Sequence, residues 1–148
     1  MKVIIVTGTP GTGKTVVARR TARQKGCRYV DVNKLIRTKK LYDSYDRKRK
    51  AFDVDTKKLN KFLIKLILEE KGKRTKCLVL DSHLTHYLPS RYVDLCIETK
   101  TDLKKLKKRL EKRGYPRQKI RENMDAEIFD VCLNEAKEEG HKIKIVRT

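Results

Sequence analysis

Eight consecutive residues carry the plainest chemistry in the chain. Gly8-Thr9-Pro10-Gly11-Thr12-Gly13-Lys14-Thr15 fits the pattern G-x-x-x-x-G-K-[ST]. A polyphosphate needs several backbone N–H groups converging on its oxygens, and glycine lets the backbone turn and approach that closely. A helix starting at the end of the loop adds its N-terminal partial positive charge. In such a loop Gly8, Gly11, Thr12 and Gly13 shape the cradle, Lys14 reaches the β- and γ-phosphates, and the Thr15 hydroxyl ligates Mg²⁺. The motif therefore points to a bound nucleotide and Mg²⁺. A second acidic group is expected at the end of a buried strand, where it orders the water shell of the metal. Asp81, closing the run Cys77-Leu-Val-Leu80, fits that place; its other reading is a helix cap. His83 follows two residues on, at the carboxyl end of a central strand, where ligands bind in open α/β sheets. It could orient an attacking water or a transferring phosphoryl group. His86 lies off that pattern, and His141 reads as a surface residue.

These groups need a scaffold, and the hydrophobic pattern supplies one. Lys2–Thr7 is too apolar for a half-exposed strand and suits a parallel strand buried on both faces. A helix follows through Val16–Ala22 to Gly26, then a short strand at Cys27–Val30 and a short helix through Leu35 and Ile36, capped by Asp31 or Asn33. Thr38–Asp53 is polar and has no assigned element. Leu59, Phe62, Leu63, Leu66 and Ile67 recur at i, i+3, i+4, i+7, i+8, which predicts an amphipathic helix over Asp55–Glu70. Strands are expected at Cys77–Asp81, Tyr92–Glu98 and Lys142–Val146, the last nearer an edge. Helices are expected at Thr101–Lys112 and, as one element with Ile120, Met124, Ile128, Val131 and Cys132 inward, at Arg117–Glu139. Strands separated mostly by helices argue a parallel α/β sheet.

Composition sets the outer bounds. The 148 residues hold 39 Lys+Arg against 19 Asp+Glu, a formal charge of +20, which points to a polyanionic partner. No apolar run approaches the roughly 18 residues that span a bilayer, and Val3–Val6 is too short for a signal peptide. A membrane or secreted protein is therefore not expected. Cys27, Cys77, Cys96 and Cys132 lack zinc-ligand spacing and sit in apolar contexts. They read as small core residues in a reduced cytoplasm.

The strings GTPGTGKT, DVNKLIRTKKLYDSYD at 31–46, LDSH at 80–83 and RGYPRQKIRENMDAEIF at 113–129 occur in this order. Together they resemble the atypical adenylate kinases, the sixth nuclear isozyme of eukaryotes and its archaeal counterparts. The resemblance implies a P-loop nucleoside-monophosphate-kinase-like three-layer α/β/α fold with a five-stranded parallel sheet. It implies one domain over 1–148, an acceptor-binding insert at about 31–70 and a short lid at about 113–119. The activity it implies is phosphoryl transfer from Mg²⁺·ATP to AMP, with ATPase activity and a role in small-ribosomal-subunit maturation. Other readings are an assembly ATPase with negligible kinase role, or a P-loop kinase with another small acceptor. Lys14, Asp81, His83 and Arg113 would then be catalytic, with Thr15 and Asp81 at the metal. Arg109 and Arg113 would flank the lid and reach the ATP phosphates, and Asn33 and Arg37 would hold the acceptor. A platform ribosomal protein and rRNA are the implied partners, and the cytoplasm is the expected location. In two respects this chain departs from the family. The acceptor segment reads DRKRKAF at 46–52, where relatives are commonly acidic. Relatives also continue past the fifth strand into a helix covering the sheet, so a sheet face is expected to be partly bare or covered by another element or chain.

Overall fold

The computed structural model describes residues 1–148. Its centre is β1 (Lys2–Gly8), whose side chains alternate between two separate cores. Val3 and Ile5 enter one, and Ile4 and Val6 the other. α1 (Lys14–Lys25), β2 (Arg28–Asp31), α2 (Val32–Thr38), β3 (Ser44–Asp46), β4 (Ala51–Asp53) and α3 (Thr56–Gly72) follow. Next come β5 (Cys77–Asp81), two single 3₁₀ turns, β6 (Leu95–Lys100), α4 (Leu103–Lys112), α5 (Arg117–Ile128), α6 (Val131–Glu138) and β7 (Ile143–Arg147). β2, β5, β1, β6 and β7 pair in that order as a five-stranded, all-parallel sheet. Sheets of this kind are buried on both faces, which is why β1 and β5 read as unbroken apolar runs.

Leu59, Leu63 and Ile67 of α3, Ile36 of α2 and Ala136 of α6 cover one face. Val17, Ala18 and Ala22 of α1 cover the other. Leu59 and Leu63 are fully enclosed, each stabilising by roughly 1.5–3 kcal/mol relative to exposure. The edge strand β7 is more open, with Ile145 45% exposed. The chain reverses its direction of travel across the sheet at β1, the switch point where such sheets bind ligands.

Four expectations are corrected here. Arg117–Glu139 is two helices, because Asp130 adopts a left-handed conformation with φ 52° between α5 and α6, which short polar side chains tolerate best. The break turns Ile128 and Val131 outward and buries Glu127, Leu133 and Ala136 instead. The unassigned segment contains an antiparallel hairpin, β3–β4. Its turn is set by the Asp46 carboxylate, which accepts from the backbone N–H groups of Lys48 and Arg49 at 2.9 and 3.1 Å. Finally, Cys27 and Cys77 form a disulfide joining the starts of β2 and β5, so only Cys96 and Cys132 are free thiols. Local apolar context could not show that two neighbouring strands bring these sulfurs together. His141 is also not on the surface: it is buried, with Nε2 3.0 Å from the carbonyl of His86.

Candidate active site

The phosphate loop begins where β1 ends, and its glycines answer to close neighbours. A Cβ on Gly8, at φ 145°, would lie 2.3 Å from Thr99 Oγ1, and one on Gly11, at φ 94°, would lie 2.9 Å from both Leu106 and Leu110. Only glycine fits either place. α1 then starts at Lys14 with no acidic residue in its first turn, so its positive end is left for an anion. Lys14 Nζ rests on the carbonyl of Thr9 at 3.3 Å. Burial pulls the Lys14 ammonium down to about 8, against the attraction of Asp81. An incoming phosphate relieves that cost by supplying the missing negative charge.

Asp81 closes β5 directly beside the loop and is 4% exposed. Tyr29, from the neighbouring strand, donates to its Oδ2 at 2.7 Å. Burial raises the Asp81 carboxyl, while hydrogen bonds from Tyr29 and Thr15 and the charge of Lys14 oppose the rise. Asp81 shares the cleft with Thr15 and caps no helix. No group of three or more His, Cys, Asp or Glu side chains is placed to enclose a cation. One carboxylate and one hydroxyl suit Mg²⁺, which keeps most of its water and shares nucleotide phosphate oxygens. Thr15 and Asp81 are the residues that would hold it.

His83 faces the same space. Burial first, then the positive neighbours Lys14, His86 and Lys119, push its imidazole down to about 3. It is therefore neutral at physiological pH, suited to orienting a hydrogen-bond partner rather than carrying charge. The segment that bears it is fixed from several sides. Ser82 Oγ donates to Asn33 Oδ1 at 3.0 Å, and Thr85 Oγ1 donates to the Val6 carbonyl at 3.1 Å. His86 is 1% exposed and bonds Thr7 Oγ1 at 2.6 Å and Glu135 Oε2 at 3.1 Å. Glu135 accepts from Nε2–H, so Nδ1 accepts from the Thr7 hydroxyl. His86, off the sequence pattern, is the anchor that ties the His83 segment to β1 and α6.

Opposite the loop, Arg37 and Asn33 lie one helical turn apart on the exposed face of α2. Phe52 of the hairpin packs against Tyr42 and Tyr45, with ring centroids 4.6 and 5.0 Å away. Arg113 ends α4, its guanidinium 3.3 Å from the Tyr115 hydroxyl, and Lys119 Nζ sits 3.9 Å from the centre of the Tyr115 ring. Lys14, Thr15, Asn33, Arg37, Asp81, His83 and Arg113 all line one cleft of about 650 Å³. The hairpin and α5 meet across its mouth through the Arg49–Glu122 ion pair at 3.0 Å and Lys119 Nζ on the Lys50 carbonyl at 3.0 Å.

A family profile described as an AAA domain matches residues 4–130. The adenylate kinase isoenzyme 6 homolog of Schizosaccharomyces pombe is 37% identical over 91% of this chain and 74% of its own length. The homolog of the same name from Dictyostelium discoideum is 36% identical over 97% of this chain and 78% of its own. The chain belongs to the adenylate kinase isoenzyme 6 family. It is thus a P-loop kinase, and the fold agrees. A sugar kinase from Janibacter sp. superposes with a TM-score of 0.66 at 15% identity, covering 99% of this chain and 85% of that one.

Within this family member, the sequence-predicted residues do not all stand alike. Gly8 and Thr12 lie beneath the cleft rather than on its surface. Arg109 does not line the cleft; its guanidinium donates to the carbonyl of Gly11 from behind the loop. Tyr29, Tyr115, Lys119 and Arg49 were missed by sequence reasoning, because their approach depends on strand pairing and helix packing. Glu127, inside the AEIF string, was missed too. It is 5% exposed and accepts from Thr9 Oγ1 of the phosphate loop at 3.1 Å.

Proposed function

We propose that this chain transfers the γ-phosphoryl group of Mg²⁺·ATP to AMP, giving two ADP, and hydrolyses ATP when water takes the acceptor's place. The observation that carries the reading is the single cleft lined by Lys14 of α1, Arg37 of α2, Asp81 of β5, and His83 and Arg113 from the turns after β5 and α4. Phosphoryl transfer asks little covalent chemistry of a protein and much positioning and charge neutralisation. The phosphate loop and Lys14 hold the donor. Arg37 offers a guanidinium fork to the acceptor phosphate. Arg113, on the short lid, adds positive charge where negative charge builds during transfer. Neutral His83 orients the acceptor oxygen or a water. Mg²⁺, held by Thr15 and Asp81, would supply further neutralisation of the phosphate oxygens. Removing a group of this kind from a reaction centre costs about 10²–10³ in turnover, so Lys14→Ala should abolish measurable ADP formation from ATP and AMP. Full activity in that variant would sink the assignment.

A second role, in ribosomal-subunit maturation with rRNA and a platform ribosomal protein as partners, draws support from charge outside the cleft. Lys104, Lys105, Lys107 and Lys108 are exposed on α4 and none lines the cleft. From Arg19 to Arg28 the chain has five basic residues and no acidic one. Such surfaces bind phosphate backbones by releasing counterions. Binding of small-subunit rRNA should therefore weaken steeply between about 50 and 200 mM salt. Binding that ignores salt, or is missing at low salt, would remove the role.

A further inference from the structure

Behind the phosphate loop lies a hydrogen-bonded network that the transfer reaction does not itself use. Arg109 Nη1 lies 3.2 Å from the Gly11 carbonyl, 3.3 Å from Thr101 Oγ1 and 3.1 Å from Thr148 Oγ1. Thr148 Oγ1 donates its one proton to the Thr12 carbonyl at 2.9 Å and so receives from Arg109 and from Thr101, whose hydroxyl is 2.6 Å away. The backbone N–H of Thr101 donates to Glu127 Oε2 at 2.9 Å, and the other oxygen of that carboxylate accepts from Thr9 Oγ1. A connected set of side chains from α4, α5 and the strand ends thus touches the loop at Thr9, Gly11 and Thr12.

We propose that Arg109 is a positioning residue, which acts on the nucleotide through the backbone of the phosphate loop rather than by touching a phosphate. The peptide bond makes the mechanism specific. It is planar and trans, so its C=O and N–H point in opposite directions. Arg109 holds the oxygen of the Gly11–Thr12 peptide, whose N–H is spent on the Thr9 carbonyl at 3.2 Å. Thr148 holds the oxygen of the Thr12–Gly13 peptide, which aims the N–H of Gly13 the other way, towards the side where Gly13 and Lys14 line the cleft. A donor fixed before ligand arrives costs no ordering on binding. Because Arg109 lies on α4 one turn before its C-cap Arg113, the same helix that leads into the lid arginine also sets the loop.

This proposal rests on the cleft being a nucleotide site, and the test separates the two. ATP and ADP affinities are measured by titration calorimetry for the wild-type chain, Arg109→Met, Thr148→Val and the double variant. Loss of a hydrogen bond of this kind is worth about three- to tenfold in affinity. Arg109→Met and Thr148→Val should each weaken ATP and ADP by the same factor. The double variant should be little worse than the worse single one, because both act through one network. Thr148→Ser, which keeps the hydroxyl, should bind as the wild type does. A loss confined to ATP, or single losses that multiply in the double variant, would show a direct phosphate contact and overturn the proposal. If Arg109→Met does not fold, Thr148→Val and Thr101→Val carry the same comparison, and wild-type affinity in both overturns it. Should the wild-type chain bind neither nucleotide, the site reading itself falls, and this proposal with it.

Discussion

The two walls of the cleft are built to different standards. On the donor wall, Thr9 and Thr12 are 1% and 0% exposed, and the loop hangs on hydrogen bonds from four surrounding elements. On the acceptor wall, Arg37 lies on the open side of a seven-residue helix, and the hairpin beside it has strands of three residues each. Tyr45 and Phe52 there remain 47% and 36% exposed. A two-stranded hairpin is at best marginally stable by itself, and this one is held by an aspartate turn, an aromatic trio and contacts across the cleft. The difference teaches where specificity and motion belong. A phosphate cradle must present its N–H groups already aligned, whereas an acceptor wall has to open to admit its ligand and then close over it.

The sharpest way to break that contrast is at Arg37. Its guanidinium is exposed and bonded to nothing on the donor side, so Arg37→Ala should raise the KM for AMP about ten- to hundredfold, as expected for loss of a charge-assisted phosphate contact. The KM for ATP should move by less than about twofold, since distant sites with no shared partner act independently. Initial rates with each nucleotide varied in turn decide it. Equal loss for both nucleotides would mean that the walls are not separate.

How far the sequence could be read follows the same division. The donor wall was legible because its rules are local. A glycine pattern, a buried strand before it and a helix after it specify the loop, and an acid closing the apolar run Cys77–Leu80 specifies Asp81. The alternation of β1 into two cores was likewise written in its unbroken apolar run. The acceptor wall was legible only at Asn33 and Arg37, through resemblance to the family. Its hairpin escaped notice because strands of three residues are too short to show a period, although Asp46 two and three residues ahead of Lys48 and Arg49 was a usable turn signal. The left-handed Asp130 escaped because the apolar spacing ran through it without interruption. The Cys27–Cys77 pair, the anchoring role of His86 and the brace at Arg109 share another cause. Each depends on residues at least 39 positions apart, or on a carbonyl, and side-chain identity does not announce a carbonyl.

A smaller effect is expected from Glu98, which lies on β6 beside the loop strand. It is 1% exposed and its Oε2 has no hydrogen-bond partner. Burial, helped by Glu127 and opposed by Lys100 and Lys14, raises its carboxyl from 4.5 to about 7. The folded chain therefore holds this proton more tightly than the unfolded chain does. Its contribution to stability falls as pH rises from about 4.5 to about 7 and stays low above that. Glu98→Gln removes the charge without changing the shape. It should stabilise the protein by about 1–2 kcal/mol at pH 8 and by almost nothing at pH 5, read from urea unfolding at the two values. A gain that is the same at both would show that the charge is not the cause. ATP affinity should stay level, which would place the cost in the scaffold of the donor wall and not in its cradle.

The smallest effect belongs where the two walls meet. Arg49 and Glu122 bridge the mouth of the cleft at 3.0 Å with side chains 52% and 43% exposed. Pairs as open as this contribute roughly 0–1 kcal/mol, too little to lock the cleft and enough to bias how often it stands open. With Arg37 in the proposed acceptor role, a phosphate entering between it and the hairpin would compete with Glu122 for the Arg49 guanidinium, because Arg49 and Arg37 line one cavity. Glu122→Gln should therefore leave the melting temperature almost unchanged and lower the KM for AMP by about two- to fourfold, the factor a fraction of 1 kcal/mol allows. The effect should fade as salt is raised to about 0.5 M, where an exposed pair is largely screened. If Glu122→Gln instead raises that KM, the pair helps to hold the acceptor wall in its binding form. The hairpin would then be as preorganised as the phosphate loop, and the contrast between the two walls would be one of exposure alone.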